Sequence, residues 1–440
     1  MSSSKIPEQL IQKFERRTGR VGVIGLGYVG LPLAVEFAKA GLRTVGIDIN
    51  TDRVRQLNAG RSYITDIPSS ELAGLVKSGK LSATTRYNVL KDLDGVMICV
   101  PTPLRKSRDP DISYIVSATE ALAKHLHRHQ IISLESTTYP GTTREVILPM
   151  LEATGLKVGV DFFLGFSPER IDPGNKVYTT KTIPKVVSGI TPACGKALDL
   201  MYGQIIQKII PVSSTDVAEM VKLLENTFRA VNIGLVNELA LMCHRLGVDV
   251  WQVIEAAKSK PFGFMAFYPG PGLGGHCIPI DPLYLSWKAR ILGFESRFIE
   301  LAAQLNATMP EHVVERVAEL LNRRGKAIRG SKILLLGVAY KRDVSDVRES
   351  PALEIIQHLA RRGARIQYHD PYVPSLRTDG LTLRSVPLRP SVLRSADCVV
   401  IVTDHHALDQ NVVVKYSRLI LDTRNALKNL PRRSNKIVRL

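Results

Sequence analysis

Gly25-Leu-Gly-Tyr-Val-Gly30 stands at the end of a short apolar run, Val21 to Gly25, and opens an amphipathic pattern that continues to Lys39. In a chain of 440 residues no other feature leaves so few folds open. A strand that ends in a glycine turn and runs into a helix is the first unit of a doubly wound sheet. Gly41 stops the helix, Arg43 to Asp48 reads as the second strand, and Asp48 falls 23 residues after Gly25. The first glycine permits the tight turn, the second lets backbone amides approach a pyrophosphate, and the third lets helix pack on strand. Asp48 is placed to accept the ribose hydroxyls of an adenosine and to repel a 2′-phosphate, which favours NAD over NADP. Tyr28 and Val29 inside the loop and Arg53 just past the second strand complete the expected cofactor contacts.

The same alternation continues. Val96 to Val100, Ile131 to Glu135, Phe162 to Phe166 and Lys185 to Ser188 read as buried strands with helical patterns between most of them, the pattern of a parallel sheet covered on both faces. After Pro211 the texture changes. Val217, Val221, Leu224, Phe228, Val231, Leu235, Leu239 and Met242 recur at the spacing of one helical face, with cap candidates at Ser213 to Asp216 and a stop at Gly247. A helix of that length bridges domains or forms a dimer interface. From Ser331 a second α/β unit is expected: a strand at Lys332 to Val338, a helix at Pro351 to Arg362, and strands at Arg365 to His369 and Asp397 to Thr403. Gly363-Ala-Arg-Ile-Gln-Tyr-His-Asp370 echoes Gly41-Leu-Arg-Thr-Val-Gly-Ile-Asp48. The expected fold is α/β, with two Rossmann-like doubly wound domains joined by a long central helix and a helical middle domain. The boundaries are 1–212, 213–325 and 326–440.

Composition narrows the setting. The five cysteines are far apart and form no Cys-x-x-Cys pair, which argues against a disulfide framework and a zinc site and fits a reducing cytoplasm. The first twenty residues lack the apolar core of a signal peptide, and no apolar run reaches the length of a membrane span. Secretion and membrane insertion are therefore not expected. The net charge of +18 invites a nucleic-acid reading, but the basic residues are scattered and no nucleic-acid-binding motif is present. A solvated basic surface with pockets for anionic small molecules fits better.

Chemistry concentrates at a few places. Cys277 lies in Gly270-Pro-Gly-Leu-Gly-Gly-His-Cys-Ile-Pro-Ile-Asp281. A thiol beside a nicotinamide can capture an aldehyde as a thiohemiacetal, and loss of hydride then gives a thioester that water cleaves. Cys99-Val-Pro-Thr102-Pro103 and Ser136-Thr137-Thr138 both end strands where open α/β sheets bind ligands, although turn and cap chemistry would explain them too. In Phe166-Ser-Pro-Glu-Arg170, Glu169 is either a general base for water or the ion-pair partner of Arg170. Lys222, Asn226 and Arg229 form one polar line opposite the apolar stripe, the usual look of a solvated face. Asp281 either orients water or caps the helix starting at Pro282. In the second α/β unit, the loop from Val338 to Pro351 lacks the glycine fingerprint and carries Lys341, Arg342 and Arg348 instead, favouring a phosphorylated ligand held by side-chain charge.

These motifs, in this order over about residues 20 to 425, resemble the UDP-sugar 6-dehydrogenase family, four-electron oxidoreductases that make UDP-uronic acids. The Gly270 to Pro282 segment is similar to the branch acting on UDP-N-acetylhexosamines, and Phe262-Gly-Phe-Met-Ala-Phe-Tyr268 to its UDP-N-acetylglucosamine members. The resemblance implies Cys277 as nucleophile, with Lys222, Asn226 and Asp281 stabilising the oxyanion and handling water. It implies Glu169 and Thr137 in the same catalytic centre, with Thr102 and Thr137 near the cofactor. Glu169, Arg170, Lys222, Asn226, Gly274, Lys341 and Arg348 would contact the UDP-sugar. It further implies NAD as cofactor, no metal, and a homodimer or higher homo-oligomer. One departure is Pro261, where UDP-glucose dehydrogenases carry an arginine that reaches the neighbouring subunit; Arg348 is the alternative for that contact. The rivals are the same reaction on UDP-N-acetylmannosamine, UDP-N-acetylgalactosamine or UDP-glucose, and a two-electron β-hydroxyacid dehydrogenase.

Overall fold

The glycine turn is followed by the expected helix, Gly30–Lys39, and by an eight-stranded sheet built around it. The computed structural model describes residues 6–64, 66–105, 107–171, 178–430 and 435–440. The chain divides into two compact units, Met1–Glu225 with Trp287–Gly293, and Asn226–Ser286 with Phe294–Leu440.

The first unit carries β1 (Arg20–Ile24), β2 (Arg43–Ile47), β3 (Leu81–Thr84), β4 (Gly95–Ile98), β5 (Ile131–Leu134), β6 (Phe163–Phe166), β7 (Lys185–Gly189) and β8 (Ile209–Pro211). Their order is β3-β2-β1-β4-β5-β6-β7-β8. The sheet reverses direction of growth between β1 and β4, so the loops after those two strands flank the crevice where such sheets take ligands. Period-two alternation buries both faces: Val21, Val23 and Met97 pack in one core with Phe37, while Ile24, Val96 and Ile98 pack in another with Ile115 and Leu122. Phe37 is fully buried and meets Tyr202 at a ring distance of 6.2 Å; that burial stabilises by roughly 1.5–3 kcal/mol. One pairing departs from the parallel expectation. β6 and β7 run antiparallel, with Gly165 opposite Gly189 and Phe166 opposite Ser188.

The second unit carries β9 (Lys332–Leu336), β10 (Arg365–His369), β11 (Ser375–Thr378), β12 (Leu381–Arg384), β13 (Cys398–Ile401), β14 (Ile420–Asp422) and β15 (Ile437–Arg439). Five of them form a parallel sheet in the order β10-β9-β13-β14-β15, with the same reversal beside its first strand. Here too alternate residues split between two cores, Ile333 and Leu335 in one and Leu334 and Leu336 in the other. The hairpin β11–β12 was not legible in the sequence pattern.

The long helix runs from Thr215 to Leu246, 32 residues or about 48 Å, and Gly247 at φ +70° ends it. Its faces are the reverse of a solvated polar line. Val217, Met220, Leu224, Phe228, Leu235 and Met242 are each 39–59% exposed, whereas Asn226 is buried and Lys222 half-buried; of the polar line only Arg229 is exposed. Ala218, Leu223, Ala230 and Ala240, small or lying between the two stripes, form the buried side. Among the described residues no helix is long and apolar enough to cross a membrane.

Candidate active site

In the first unit the glycine loop is shaped by its neighbours. Gly25 has φ +93°, and a side chain there would strike the carbonyl of Cys99 on the adjacent loop. A Cβ on Gly30 would run into the carbonyl of Gly25, whereas one on Gly27 would meet nothing within 4 Å. The open space at Gly27, in front of a helix start, is what a pyrophosphate requires. Asp48 Oδ2 accepts the amide of Leu26 at 2.8 Å and Oδ1 that of Asn50 at 2.8 Å, with Arg53 Nη1 at 3.4 Å. The carboxylate at the end of β2 therefore fixes the loop beside which a ribose would sit. Tyr28 is exposed, and Val29 and Thr102 are partly buried.

Beyond β5, Ser136 donates to the carbonyl of Val100 at 2.8 Å and so joins the loops after β4 and β5. Thr138 and Thr142 are bonded to each other at 2.7 Å; Thr137 between these anchors is half-buried and takes no part in them. Glu219, on the long helix, accepts the amides of Gly141 and Thr143 at 2.6 and 2.9 Å and holds the rest of the segment.

Glu169 follows β6 and is 8% exposed. Its Oε1 accepts the amides of Arg170 and Ile171 at 2.7 and 2.6 Å, while the buried Oε2 has no hydrogen-bond partner among the described residues. Arg170 is not its ion-pair partner. The guanidinium turns to Glu225, with Nη2 2.5 Å from Oε1, and to the carbonyl of Pro184. Lys222 on the long helix pairs with no carboxylate among the described residues.

In the second unit, Cys277 is exposed at the end of the glycine-rich loop. The amides of Ile280 and Asp281 donate to its carbonyl at 3.2 and 2.8 Å, a turn that starts the helix Asp281–Ile291. Asp281 is 5% exposed, and its Oδ2 accepts from Asn226 Nδ2 at 2.5 Å, so its side chain is directed at Asn226. The three residues thus form one cluster. The loop before them is pinned at Gly270, whose amide donates to Asn237 Oδ1 at 2.9 Å, and Asn237 in turn bonds Asn306 at 2.8 Å. Gly275 donates to the carbonyl of Arg348 at 3.2 Å, and Gly274 sits against Tyr340 and Glu349, which leaves no room for a side chain. Burial, and then the charge of Arg348, holds the His276 imidazole below its ordinary range.

The cationic loop of this unit is less open than its sequence suggests. Arg348 makes a forked contact with Asp346, with Nη2 2.6 Å from Oδ2, and Arg342 pairs with Asp404. Lys341 is half-buried on the same loop. One cation was missed: Arg424, just past β14, donates from Nε to the carbonyl of Val402 at 2.9 Å and ion-pairs with no carboxylate among the described residues. Burial, and then Arg342, lowers its pKa to about 10. The signal was available, since Arg424 follows the buried run Leu419–Asp422 at the ligand end of a parallel strand.

The Cys277 cluster and the loops of both sheets provide a thiol, a dinucleotide-type loop and a cation-rich loop. Comparison with known proteins gives the same three parts. Residues 19–206 match the NAD binding domain of the UDP-glucose/GDP-mannose dehydrogenase family, residues 216–308 its central domain and residues 334–429 its UDP binding domain. The chain is 40% identical over 357 residues to UDP-N-acetyl-D-glucosamine 6-dehydrogenase of Pseudomonas aeruginosa, covering 80% of this chain and 83% of that one. It resembles the solved structure of a UDP-D-ManNAc dehydrogenase from Pyrococcus horikoshii with a TM-score of 0.86 and 34% identity, covering 96% of this chain and 98% of that one. An NDP-N-acetyl-D-galactosaminuronic acid dehydrogenase from Methanosarcina mazei Go1 gives a TM-score of 0.80 at 30% identity, covering 100% of this chain and 97% of that one. With an NAD-binding domain and a UDP-binding domain flanking the cysteine loop, the chain belongs to the UDP-glucose/GDP-mannose dehydrogenase family and is an NAD-dependent nucleotide-sugar dehydrogenase.

Proposed function

We propose that the protein oxidises C6 of UDP-N-acetylglucosamine to the carboxylate, reducing two NAD in turn and consuming one water. The observation that carries the reaction type is the exposed thiol of Cys277 at a helix start where its carbonyl accepts the amide of Asp281, whose buried side chain holds Asn226. The sugar is supported by the 40% identity to the Pseudomonas aeruginosa enzyme and by the Phe262 to Tyr268 segment. UDP-N-acetylmannosamine is the second reading, favoured by the 0.86 TM-score to the Pyrococcus horikoshii protein.

Bound NAD supplies the hydride acceptor for both oxidations, and the remaining chemistry falls to side chains. In the first oxidation the C6 hydroxyl loses its proton to water held by Asn226 and Asp281, and Lys222 offsets the developing alkoxide charge. The Cys277 thiolate then adds to the aldehyde carbon, and the alkoxide of the adduct takes a proton. Loss of that proton and of hydride from the thiohemiacetal leaves a thioester. Water attacks its carbonyl, with Glu169 as base, and the carbon–sulfur bond breaks to release the acid and the thiol. Thr137 and Thr102 are assigned to the cofactor side, with Lys341, Arg348 and Gly274 on the UDP-sugar side. Arg170, held by Glu225, is a positioning residue on this reading. The exposed apolar row of the long helix is assigned to a second copy of the chain, which makes a homodimer the expected state.

The test is NADH yield over a panel of UDP-sugars with product mass. Two NADH per UDP-N-acetylglucosamine and a new carboxylate are expected; one NADH and a stable aldehyde would overturn the four-electron reading. Cys277→Ala should bind both ligands and lose acid formation by orders of magnitude, because covalent capture is what makes the second oxidation accessible. Cys277→Ser should be slow and accumulate an ester adduct visible by intact mass.

A further inference from the structure

Behind Glu169 lies a buried charged cluster to which the reaction assigns no task. Lys185, the first residue of β7, is 5% exposed, and its ammonium donates to Glu135 Oε2 at 2.8 Å. Glu135 directly follows β5, and its other oxygen accepts the hydroxyl of Tyr202, at the end of the helix Pro192–Tyr202. The same ammonium stands 3.7 Å from Glu169 Oε2, the oxygen that has no hydrogen bond. Burial, then the charge of Glu135, pushes the Tyr202 hydroxyl well up, and burial does the same to the Cys99 thiol after β4, so both remain neutral. Arg170, next to Glu169, has its guanidinium on Glu225. Among the described residues, the charged groups in contact with the Glu169 carboxylate or with its ammonium neighbour are therefore Lys185 and Glu135.

A buried ion pair contributes little to stability compared with apolar residues of similar size, so fold stability does not explain this one. Its position does. The antiparallel register of β6 and β7, extended from Phe166 opposite Ser188, sets Lys185 opposite Glu169. A parallel β7 would carry its first residue to the far edge of the sheet. The reversal instead brings Lys185 to the ligand ends of β5 and β6.

We propose that Lys185 is a positioning residue for thioester hydrolysis: it holds the buried Glu169 carboxylate with Oε2 free of other hydrogen bonds to accept one from the attacking water, while Glu135 and Tyr202 hold the ammonium in place. The inference rests on Glu169 as the base for that step. In it, water gives a proton to Glu169 as its oxygen bonds to the thioester carbon, and the sulfur of Cys277 departs with the electron pair and is reprotonated. Lys185 gives up no proton and touches no substrate; its charge acts through Glu169 alone. Burial, with the charge of Glu169 adding to it, raises the Glu135 pKa to about 7, so near neutrality a proton on Glu135 leaves the ammonium to Glu169.

The test is the pH profile of acid formation combined with intact-protein mass. Lys185→Met alone strands a buried carboxylate, so the informative variant is Lys185→Met with Glu135→Gln, which leaves no unpaired charge at either position. Its acidic limb should move up by about one pH unit, which lowers the rate on that limb about tenfold, and a Cys277 adduct should accumulate. Lys185→Arg should keep the native limb, and Glu135→Gln alone should move it down. A double variant with the native limb, or Lys185→Arg as impaired as the double variant, would overturn the proposal and leave Lys185 a packing residue. Glu169→Gln separates the two readings. If it makes acid at nearly the native rate, Glu169 is not the base and the proposal goes with it. If it stalls at the adduct while the double variant does not, only the role of Lys185 is lost.

Discussion

At the end of β2, Asp48 accepts the amide of Leu26 from the loop after β1; at the end of β10, Asp370 accepts the amides of Val338 and Ala339 from the loop after β9. Gly25 and Gly337 occupy matching turns, at φ +93° and +80°, and a side chain on either would strike a carbonyl of the neighbouring loop, that of Cys99 or Thr403. The echo between Gly41–Asp48 and Gly363–Asp370 is thus structural as well as sequential. The difference lies in what surrounds each carboxylate. Asp48 has Arg53 at 3.4 Å and bonds the neighbouring loop, which is left open at Gly27. Asp370 is covered by His405, whose Nε2 donates at 3.0 Å, and both side chains are fully buried. His405 Nδ1 accepts the amide of Asp343, so the imidazole clips the cationic loop onto Asp370. The first carboxylate holds the glycine loop, and the second holds, directly and through His405, the loop that carries the cations. The same topology therefore serves two ligands because the loop residues differ.

The largest expected effect comes from removing each carboxylate in turn. Asp370→Ala strands His405 and several buried amides and should destabilise the second unit by roughly 3–5 kcal/mol. Burial works against the Asp370 carboxylate, yet His405 and the amides hold its pKa below the ordinary range, a sign of how fully it is engaged. Asp48→Ala should cost less stability and narrow the preference for NAD over NADP. Melting curves and cofactor kinetics of the two variants check the contrast. An Asp370→Ala protein with native melting but weakened substrate binding would break it, because Asp370 would then be a ligand contact.

Next in size is the response to salt. Cations on flexible side chains are screened by added salt, whereas amides fixed at a helix start carry only partial charge and respond less. KM for the UDP-sugar should therefore rise with ionic strength more steeply than KM for NAD. Lys341→Ala should raise the substrate KM about tenfold, the loss of one charge-assisted hydrogen bond, and flatten its salt dependence. Equal salt slopes for both ligands would mean that the second sheet does not hold its ligand by charge.

Much of this was legible in the chain, and the boundary has a physical cause. Strands buried on both faces appear as continuous apolar runs, so β1, β2, β4 to β7, β9 and β13 could be placed from sequence, β10 through its echo of Gly41 to Asp48, and the long helix by its glycine stop. The hairpin β11–β12 is half exposed and polar, and leaves no such run. Local spacing is what makes a motif visible, as with Gly25 to Asp48 across one strand–helix–strand unit or Cys277 to Asp281 at one helix start. What failed was partnership across elements. Glu225 lies 55 residues from Arg170, and Lys185 lies 50 from Glu135, so neither pair has a local signature. The burial of Asn226 was missed for another reason. An apolar stripe on a helix predicts which face leaves water, but not whether the covering surface comes from the same chain.

The smallest effect expected is also the sharpest division between the two units. In the first, burial raises the pKa of Glu135 and of Glu219 to about 7 from the ordinary 4.5. Between those values the folded protein keeps protons that the unfolded chain releases, so this unit loses stability as pH rises through the window and gains it on acidification. In the second, burial and then Arg316 and His244 lower the His312 pKa to about 4 from 6.5. Between those values the unfolded chain takes up a proton that the folded protein refuses, so this unit loses stability as pH falls. Going from pH 7 to pH 5 should therefore move the two units in opposite directions. Amide hydrogen exchange followed by mass spectrometry, corrected for the intrinsic pH dependence of exchange, resolves them separately because units open on their own. Peptides from β5 to β7 should exchange more slowly at pH 5, and peptides from Asn306 to Leu320 faster. Glu219→Gln should blunt the first response and His312→Asn the second. If both sets of peptides move in the same direction, the buried carboxylates and the half-buried histidine do not govern these windows, and the electrostatic contrast between the units fails.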